Sequence, residues 1–110
     1  MSVGLTITFL KEFGAGLWLT FPLLLSVAAV IVVLGQFIGW NEGWPRFDSF
    51  YWSFITATTV GYGDLRPTKN LSRLGAILIA FLGLLLSGII IAIAVQAGSI
   101  ALAARLGAAR

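Results

Sequence analysis

Two long uncharged apolar stretches dominate the sequence, one from Phe13 to Asn41 and one from Leu74 to Ala104. Each exceeds the roughly 20 apolar residues that a helix needs to cross the hydrocarbon core of a bilayer. The pattern therefore predicts two membrane-spanning helices, over about 14–39 and about 72–103. Residues 1–10 carry no positive charge of the kind that opens a signal peptide. We expect them to form an interfacial or frayed lead-in to the first helix.

The connection between the two stretches contains a third apolar segment, Phe47 to Val60, which is rich in aromatic residues. It is too short to span a bilayer, and Asp48 followed by Ser49 is a typical helix N-cap signal. These features predict a short re-entrant helix over about 48–58. A surface amphipathic helix is the alternative, but its polar face would hold only Ser49, Ser53, Thr56 and Thr58.

The second spanning helix is rich in glycine, alanine and serine, whereas the first is bulkier. Small residues let membrane helices approach closely, so the second helix is expected to face protein or a pore and the first to face lipid. Asn70 or Ser72 is expected to cap its first turn.

The composition excludes several functional classes. The chain is 59% hydrophobic and 10% charged, against about 25% charged residues in soluble proteins. It has no cysteine and no histidine, which removes disulfides, thiolate chemistry and a histidine base. The sequence offers no nucleophile–base pair that would indicate an enzyme. The net charge of +3 is dispersed, so nucleic-acid binding is not expected.

The segment Thr58 to Asp64, with the sequence TTVGYGD, carries the candidate chemistry. Glycine adopts positive φ at little cost, so Gly61 and Gly63 at alternate positions can turn successive carbonyls to the same side. The result would be a ladder of oxygens from four residues, with the first residue's hydroxyl below them: Thr59, Val60, Gly61 and Tyr62. Four chains around an axis would stack these oxygens into cages for a monovalent cation, since a divalent cation would lack its usual carboxylates.

TTVGYGD resembles the selectivity signature of tetrameric potassium channels. The resemblance extends over nearly the whole chain, as outer helix, pore helix, filter (about 59–64) and inner helix. Within that family, Tyr51-Trp52-Ser53-Phe54-Ile55 is similar to the pore of calcium-gated prokaryotic two-helix channels. The resemblance implies an all-α integral membrane protein, with residues 1–110 as one pore domain. It further implies a homotetramer that conducts K+ passively through a central pore, with no cofactor.

The resemblance also implies roles for individual residues. Main-chain oxygens of Thr59, Val60, Gly61 and Tyr62 would coordinate K+. Four further residues would support the filter: Gly63; Asp64 at the outer mouth; Trp52, in an aromatic cuff with Tyr62; and Tyr51. Many relatives carry a carboxylate where this chain has Ile55, and that carboxylate pairs with the mouth aspartate. The hydroxyl of Tyr51 is a candidate replacement partner for Asp64.

Gly83 lies nineteen residues after Asp64, matching the gating hinge of the family's inner helix. Close helix packing is the alternative role for this glycine. Beyond it, one helical stripe is expected to line the cavity and inner gate: Leu84, Ser87, Gly88, Ile91, Ala92 and Val95.

The remaining expectations concern control, topology and rival functions. No arginine-rich helix precedes the pore, so voltage sensing is not expected. The calcium-gated relatives carry a ligand-binding domain and this sequence contains none, so ligand gating by these residues is not expected; a regulatory domain or subunit outside the sequence is a candidate partner. Four basic residues lie on the side of the membrane that holds the connection between the two spans (the loop side), and three, including Arg110, lie on the side that holds the termini. The resemblance alone therefore places both termini in the cytoplasm, beneath the cell membrane.

The alternatives to a potassium channel are a nonselective cation channel of the same fold and a small structural or interaction hairpin.

Overall fold

Three helices make up the computed structural model, which describes residues 2–108 and only the backbone of Ser2 and Ala108. They are α1 (Ser2–Glu42), α2 (Arg46–Ala57) and α3 (Asn70–Ala108), with no strand in this range. Both α1 and α3 are long and apolar enough to cross a membrane. Arg110, counted above among the terminal charges, lies outside the described residues.

Helix α1 starts earlier than the apolar pattern predicts. The expected frayed or interfacial lead-in is helical from Ser2 onward and continuous with the span. Nothing in these residues breaks a helix, and the Thr8 hydroxyl donates to the Gly4 carbonyl one turn earlier, at 3.0 Å. The helix also continues through Pro22.

A glycine ends α1. Gly43 has φ of +80°, its amide donates to the Trp40 carbonyl, and the Trp44 amide donates to the Gly39 carbonyl at 2.8 Å. This pair of hydrogen bonds around a left-handed glycine is a Schellman motif, which satisfies carbonyls that the helix end leaves free. The chain therefore turns directly from α1 into α2.

The predicted cap of α2 by Asp48 and Ser49 is wrong. The helix begins at Arg46, and its N-cap is Pro45, which has an extended backbone and makes no side-chain cap hydrogen bond. Asp48 lies in the first turn, where a carboxylate still interacts favourably with the positive end of the helix dipole. Ser49 is buried and its hydroxyl donates to the Pro45 carbonyl at 3.0 Å.

The predicted cap of α3 by Asn70 or Ser72 is also wrong, because both residues lie inside the helix. The Glu42 carboxylate of α1 instead accepts hydrogen bonds from the Thr68 and Lys69 amides, at 2.8 and 3.1 Å. Ser72 is buried, and its oxygen accepts a hydrogen bond from the Asn41 side chain at 2.7 Å. The end of α1 thus fastens the start of α3.

The contacts divide the chain into two compact units. One consists of residues 2–23 together with residues 88–108, where Gly16 packs against Ile93. The other, Leu24–Ser87, contains the core and all of α2. The buried residues of that core come from all three helices: Ile31, Ile38, Trp52, Ala57 and Ile79.

Two glycines of α1 and two serines of α2 interlock in the second unit. A Cβ atom at Gly35 would lie 2.8 Å from the Cβ of Ser53, and one at Gly39 would lie 2.6 Å from the Cβ of Ser49. Both serines are at most 1% exposed. Because the glycines lack side chains, α2 packs directly on the α1 backbone, which fixes the position of whatever follows α2.

We expect Gly35→Ala to lower the free energy of unfolding by about 1–3 kcal/mol, the usual cost of overpacking. In a Ser53→Gly background, which lacks the opposing side chain, Gly35→Ala should cost much less. The double variant should therefore unfold with nearly the same free energy as Ser53→Gly alone. Gly14→Ala is the matched control, since nothing lies within 4 Å of its added methyl group. Thermal denaturation in detergent measures the effect, and equal melting of Gly35→Ala and Gly14→Ala would contradict the interlock.

Candidate functional site

The segment after α2 is held to the end of that helix by its own amides. The amides of Val60 and Gly61 both donate to the Ile55 carbonyl, at 3.0 and 3.1 Å. The Thr58 amide and hydroxyl both donate to the Phe54 carbonyl, at 2.9 and 2.6 Å. The start of the TTVGYGD segment is therefore anchored to the C-terminal turn of α2.

The backbone of this segment alternates in handedness. Thr59, Gly61 and Gly63 have φ of +68°, +56° and +84°, whereas Val60 and Tyr62 do not have positive φ. The positive φ predicted for Gly61 and Gly63 is thus confirmed. Such alternation turns successive peptide carbonyls to the same side of the chain, unlike the pleat of a strand.

Thr59 extends the alternation by one residue beyond what glycine placement predicts. A β-branched residue with positive φ is unusual and costs about 1–2 kcal/mol. Thr59 is the only non-glycine residue with positive φ in the described chain. The signal available in the sequence was the spacing, since Thr59 precedes Gly61 by the same two residues that separate Gly61 from Gly63.

Four carbonyl oxygens of this segment have no hydrogen-bond donor within the described residues. Within residues 2–108, the main-chain oxygens of Thr59, Val60, Gly61 and Tyr62 accept no hydrogen bond. Gly63 differs, because its carbonyl accepts a hydrogen bond from Arg66 Nε at 3.1 Å. Four consecutive neutral oxygens are thus free to bind a cation or water.

Tyr51 and Asp64 lie together, as the sequence suggested. Burial, and then a hydrogen bond to the Asp64 carboxylate and its negative charge, raise the pKa of Tyr51, which lies outside the two candidate spans. The same carboxylate accepts a hydrogen bond from the Leu65 amide at 3.1 Å. Asp64 thereby connects α2 to the residues that follow the alternating segment.

The aromatic residues of the site are separated within one chain. Trp52 is buried and its ring meets that of Trp44 edge-on, with centroids 5.3 Å apart. Tyr62 is 71% exposed, and the described chain shows no ring contact between it and Trp52. A cuff containing both rings therefore requires a second chain and stays a prediction.

Gly83 touches the end of α2. It is buried, and a Cβ atom there would lie 2.5 Å from the Ala57 Cα and 2.6 Å from the Ala57 carbonyl carbon. Because these are backbone atoms, no side-chain rotation could relieve the clash. The geometry supports the packing role of Gly83, and its role as a hinge stays a prediction.

The predicted cavity stripe of α3 is largely exposed in the single chain. Five of its six residues are exposed and Ser87 is half-buried; the exposed ones are Leu84, Gly88, Ile91, Ala92 and Val95. Their role as a cavity lining stays a prediction.

Curated proteins with similar sequences are named as potassium channels. The chain is 48% identical over 52 residues to TWiK family of potassium channels protein 7 of Caenorhabditis elegans, covering 44% of this chain and 9% of that protein. It is 45% identical over 42 residues to Potassium channel protein 1 of Methanocaldococcus jannaschii, covering 38% of this chain and 13% of that protein. It is 36% identical over 69 residues to Two pore potassium channel a of Oryza sativa, covering 63% and 20%.

The chain therefore spans between 9% and 20% of the length of these relatives. No solved structure matches it significantly.

We expect Tyr51 to titrate above the ordinary tyrosine pKa of about 10. Its contribution to folding stability is then present below that value and is lost as pH rises through the raised pKa. In a Tyr62→Phe background, where Tyr51 is the sole tyrosine, Asp64→Asn should lower the titration midpoint and Asp48→Asn should not. Tyrosinate absorbance measures the midpoint, and an unchanged value in Asp64→Asn would refute the contact.

The family assignment comes from a match to most of the chain. Residues 8–99 match the family described as Ion channel, a range that includes nearly all of α1, all of α2 and the site, and most of α3. This family is a class of transport proteins rather than of enzymes. With two helices able to span a membrane and TTVGYGD between them, the chain is a membrane protein that belongs to the ion channel family.

Proposed function

We propose that four copies of this chain form a potassium channel in the cell membrane and conduct K+ passively down its electrochemical gradient. The observation that carries the proposal is the row of four unpaired carbonyls at Thr59–Tyr62 on a backbone of alternating handedness. K+ is the transported ion, and the mechanism needs no cofactor. The transmembrane potential supplies about 2.3 kcal/mol per charge for each 100 mV.

The symmetry follows from ligand number. One chain offers a single carbonyl at each level of the row, which is too few to replace the hydration shell of a cation. Four chains around an axis offer four per level, so an ion between two levels meets eight oxygens. Carbonyls carry partial charge only, which suits a monovalent ion that sheds water easily and must also leave again.

Helix α2 acts in this proposal as a re-entrant pore helix. Its 12 residues reach about 18 Å, which is too short to cross a bilayer. Its C-terminal end carries the partial negative charge of the helix dipole and directly precedes Thr59. Four such ends would favour a cation at the inner end of the filter.

The remaining residues have supporting roles in the proposal. Gly63, Asp64, Tyr51 and Trp52 hold the shape of the filter, and the exposed stripe of α3 lines the cavity and inner gate. The whole chain is one pore domain with both termini in the cytoplasm. Within the family, the sequence from Tyr51 to Ile55 supports closeness to calcium-gated two-helix channels.

The proposal is tested by a pair of glycines. Gly61 and Gly43 both have positive φ, and nothing lies within 4 Å of a Cβ atom at either position. Alanine therefore imposes similar strain, about 1–2 kcal/mol, at both. We expect Gly61→Ala to abolish the preference for K+ over Na+ in ion flux into reconstituted vesicles, whereas Gly43→Ala should keep it. Equal permeability of the wild-type protein to both ions would contradict the proposal.

A second test separates packing from hinging at Gly83. We expect Gly83→Ala to lower tetramer stability and to reduce K+ selectivity, because its methyl group must displace the end of α2. Gly98→Ala is the matched control, since that glycine lies on the same helix with nothing within 4 Å of its Cβ position. Tetramer melting and bi-ionic reversal potentials measure the two effects. Unchanged stability and selectivity, with only the open probability reduced, would favour the hinge instead.

A further inference from the structure

Arg66, three residues after Gly63, is a cation whose side chain contacts the Gly63 carbonyl. Arg66 is exposed, and its Nε donates to the Gly63 carbonyl at 3.1 Å. Of all atoms outside Gly63 and its chain neighbours, this Nε comes nearest to the Gly63 Cβ position, at 4.0 Å. The side chain therefore folds back along the chain instead of extending away from it.

This hydrogen bond distinguishes the Gly63 carbonyl from the four carbonyls before it. The oxygens of Thr59 to Tyr62 accept no hydrogen bond within the described chain, and that of Gly63 does. A hydrogen bond from a charged donor is roughly twice as strong as a neutral one. A cation that used the Gly63 oxygen would have to displace the guanidinium or lie beside its positive charge, so the usable row ends at Tyr62.

The Asp64 carboxylate lies two residues before Arg66 and carries the opposite charge, but the structure shows no hydrogen bond between these two side chains within the described chain. The Asp64 carboxylate accepts a hydrogen bond from the Leu65 amide at 3.1 Å and interacts electrostatically with Tyr51. The guanidinium takes the Gly63 carbonyl instead. Each chain thus brings a guanidinium group to the Gly63 carbonyl, just beyond the row, where its positive charge offsets the negative charge of Asp64.

We propose that Arg66 is a positioning residue of the outer mouth: it holds the Gly63 peptide at the end of the filter and lowers the local K+ concentration there. This inference rests on the proposed function, because it needs four chains around a K+ path. Four guanidinium groups then ring the mouth on the loop side. They slow K+ that arrives from that side and keep the last peptide of the filter from turning.

The two effects can be separated by three substitutions. Glutamine places its Nε2 donor the same number of bonds from Cα as Arg Nε, but has no charge. Lysine keeps the charge and moves the donor one bond further out. Methionine supplies neither. Comparing lysine with glutamine therefore tests the charge, and comparing methionine with glutamine tests the hydrogen bond.

The experiment is single-channel recording of the full chain in uncharged lipid bilayers, with K+ supplied from the loop side at low and at physiological ionic strength. Arg66→Gln and Arg66→Met should raise the unitary current about twofold at physiological ionic strength, and more at low ionic strength, where screening is weaker. Arg66→Lys should match the wild type. Arg66→Met should also shorten conducting bursts severalfold relative to Arg66→Gln.

Arg73→Gln is the control for charge, since it removes the same charge from an exposed arginine in the first turn of α3. Its effect on the current should be smaller than that of Arg66→Gln. A wild-type current that selects K+ but does not change in Arg66→Gln at low ionic strength would overturn the inference and leave the proposed function standing. Equal burst lengths in Arg66→Met and Arg66→Gln would overturn the role of the hydrogen bond. A wild-type protein without K+ selectivity would instead refute the proposed function.

Discussion

Four adjacent carbonyls, Thr59 to Tyr62, that accept no hydrogen bond from the described residues are the constraint on which the rest of the structure depends. A carbonyl withdrawn from water without a partner costs about 1–3 kcal/mol, and Thr59 adds the cost of its positive φ. A backbone of this kind persists only where its surroundings hold it and where something else binds its oxygens. In the proposed tetramer, K+ and water bind these oxygens. The same backbone segment, Thr59 to Tyr62, therefore both carries the strain and binds the transported ion.

The surroundings that hold this segment are the contacts of α2. Within residues 24–87, the glycines of α1 receive Ser49 and Ser53 on one side, and Gly83 of α3 receives the backbone of Ala57 on another. At the end of α2, the Ile55 carbonyl accepts both the Val60 and the Gly61 amide. In these contacts glycine lets a serine side chain or the Ala57 backbone lie directly against a helix, whereas Gly43, Gly61 and Gly63 supply positive φ. A short helix gripped in this way can support a strained loop at its end.

Sequence patterns predicted the helix order and the candidate site but missed their details for physical reasons. Both spans follow from the absence of charge over long stretches, and the positive φ of Gly61 and Gly63 follows from their alternation. The predicted caps were wrong for two reasons. The Glu42 carboxylate of α1 accepts hydrogen bonds from the amides just before α3, and Pro45, the N-cap of α2, offers no side-chain acceptor. The contact of Arg66 with Gly63 depends on how one exposed side chain folds back, which no periodicity encodes.

The central claim is that the Thr59–Tyr62 carbonyls replace the water around K+ better than that around Na+. The reversal potential of the purified wild-type protein in a planar bilayer, with K+ on one side and Na+ on the other, tests it most directly. If the carbonyls do so, the reversal potential is displaced from zero by about 59 mV for each tenfold preference for K+. A reversal potential near zero, with current carried equally by both ions, would contradict it.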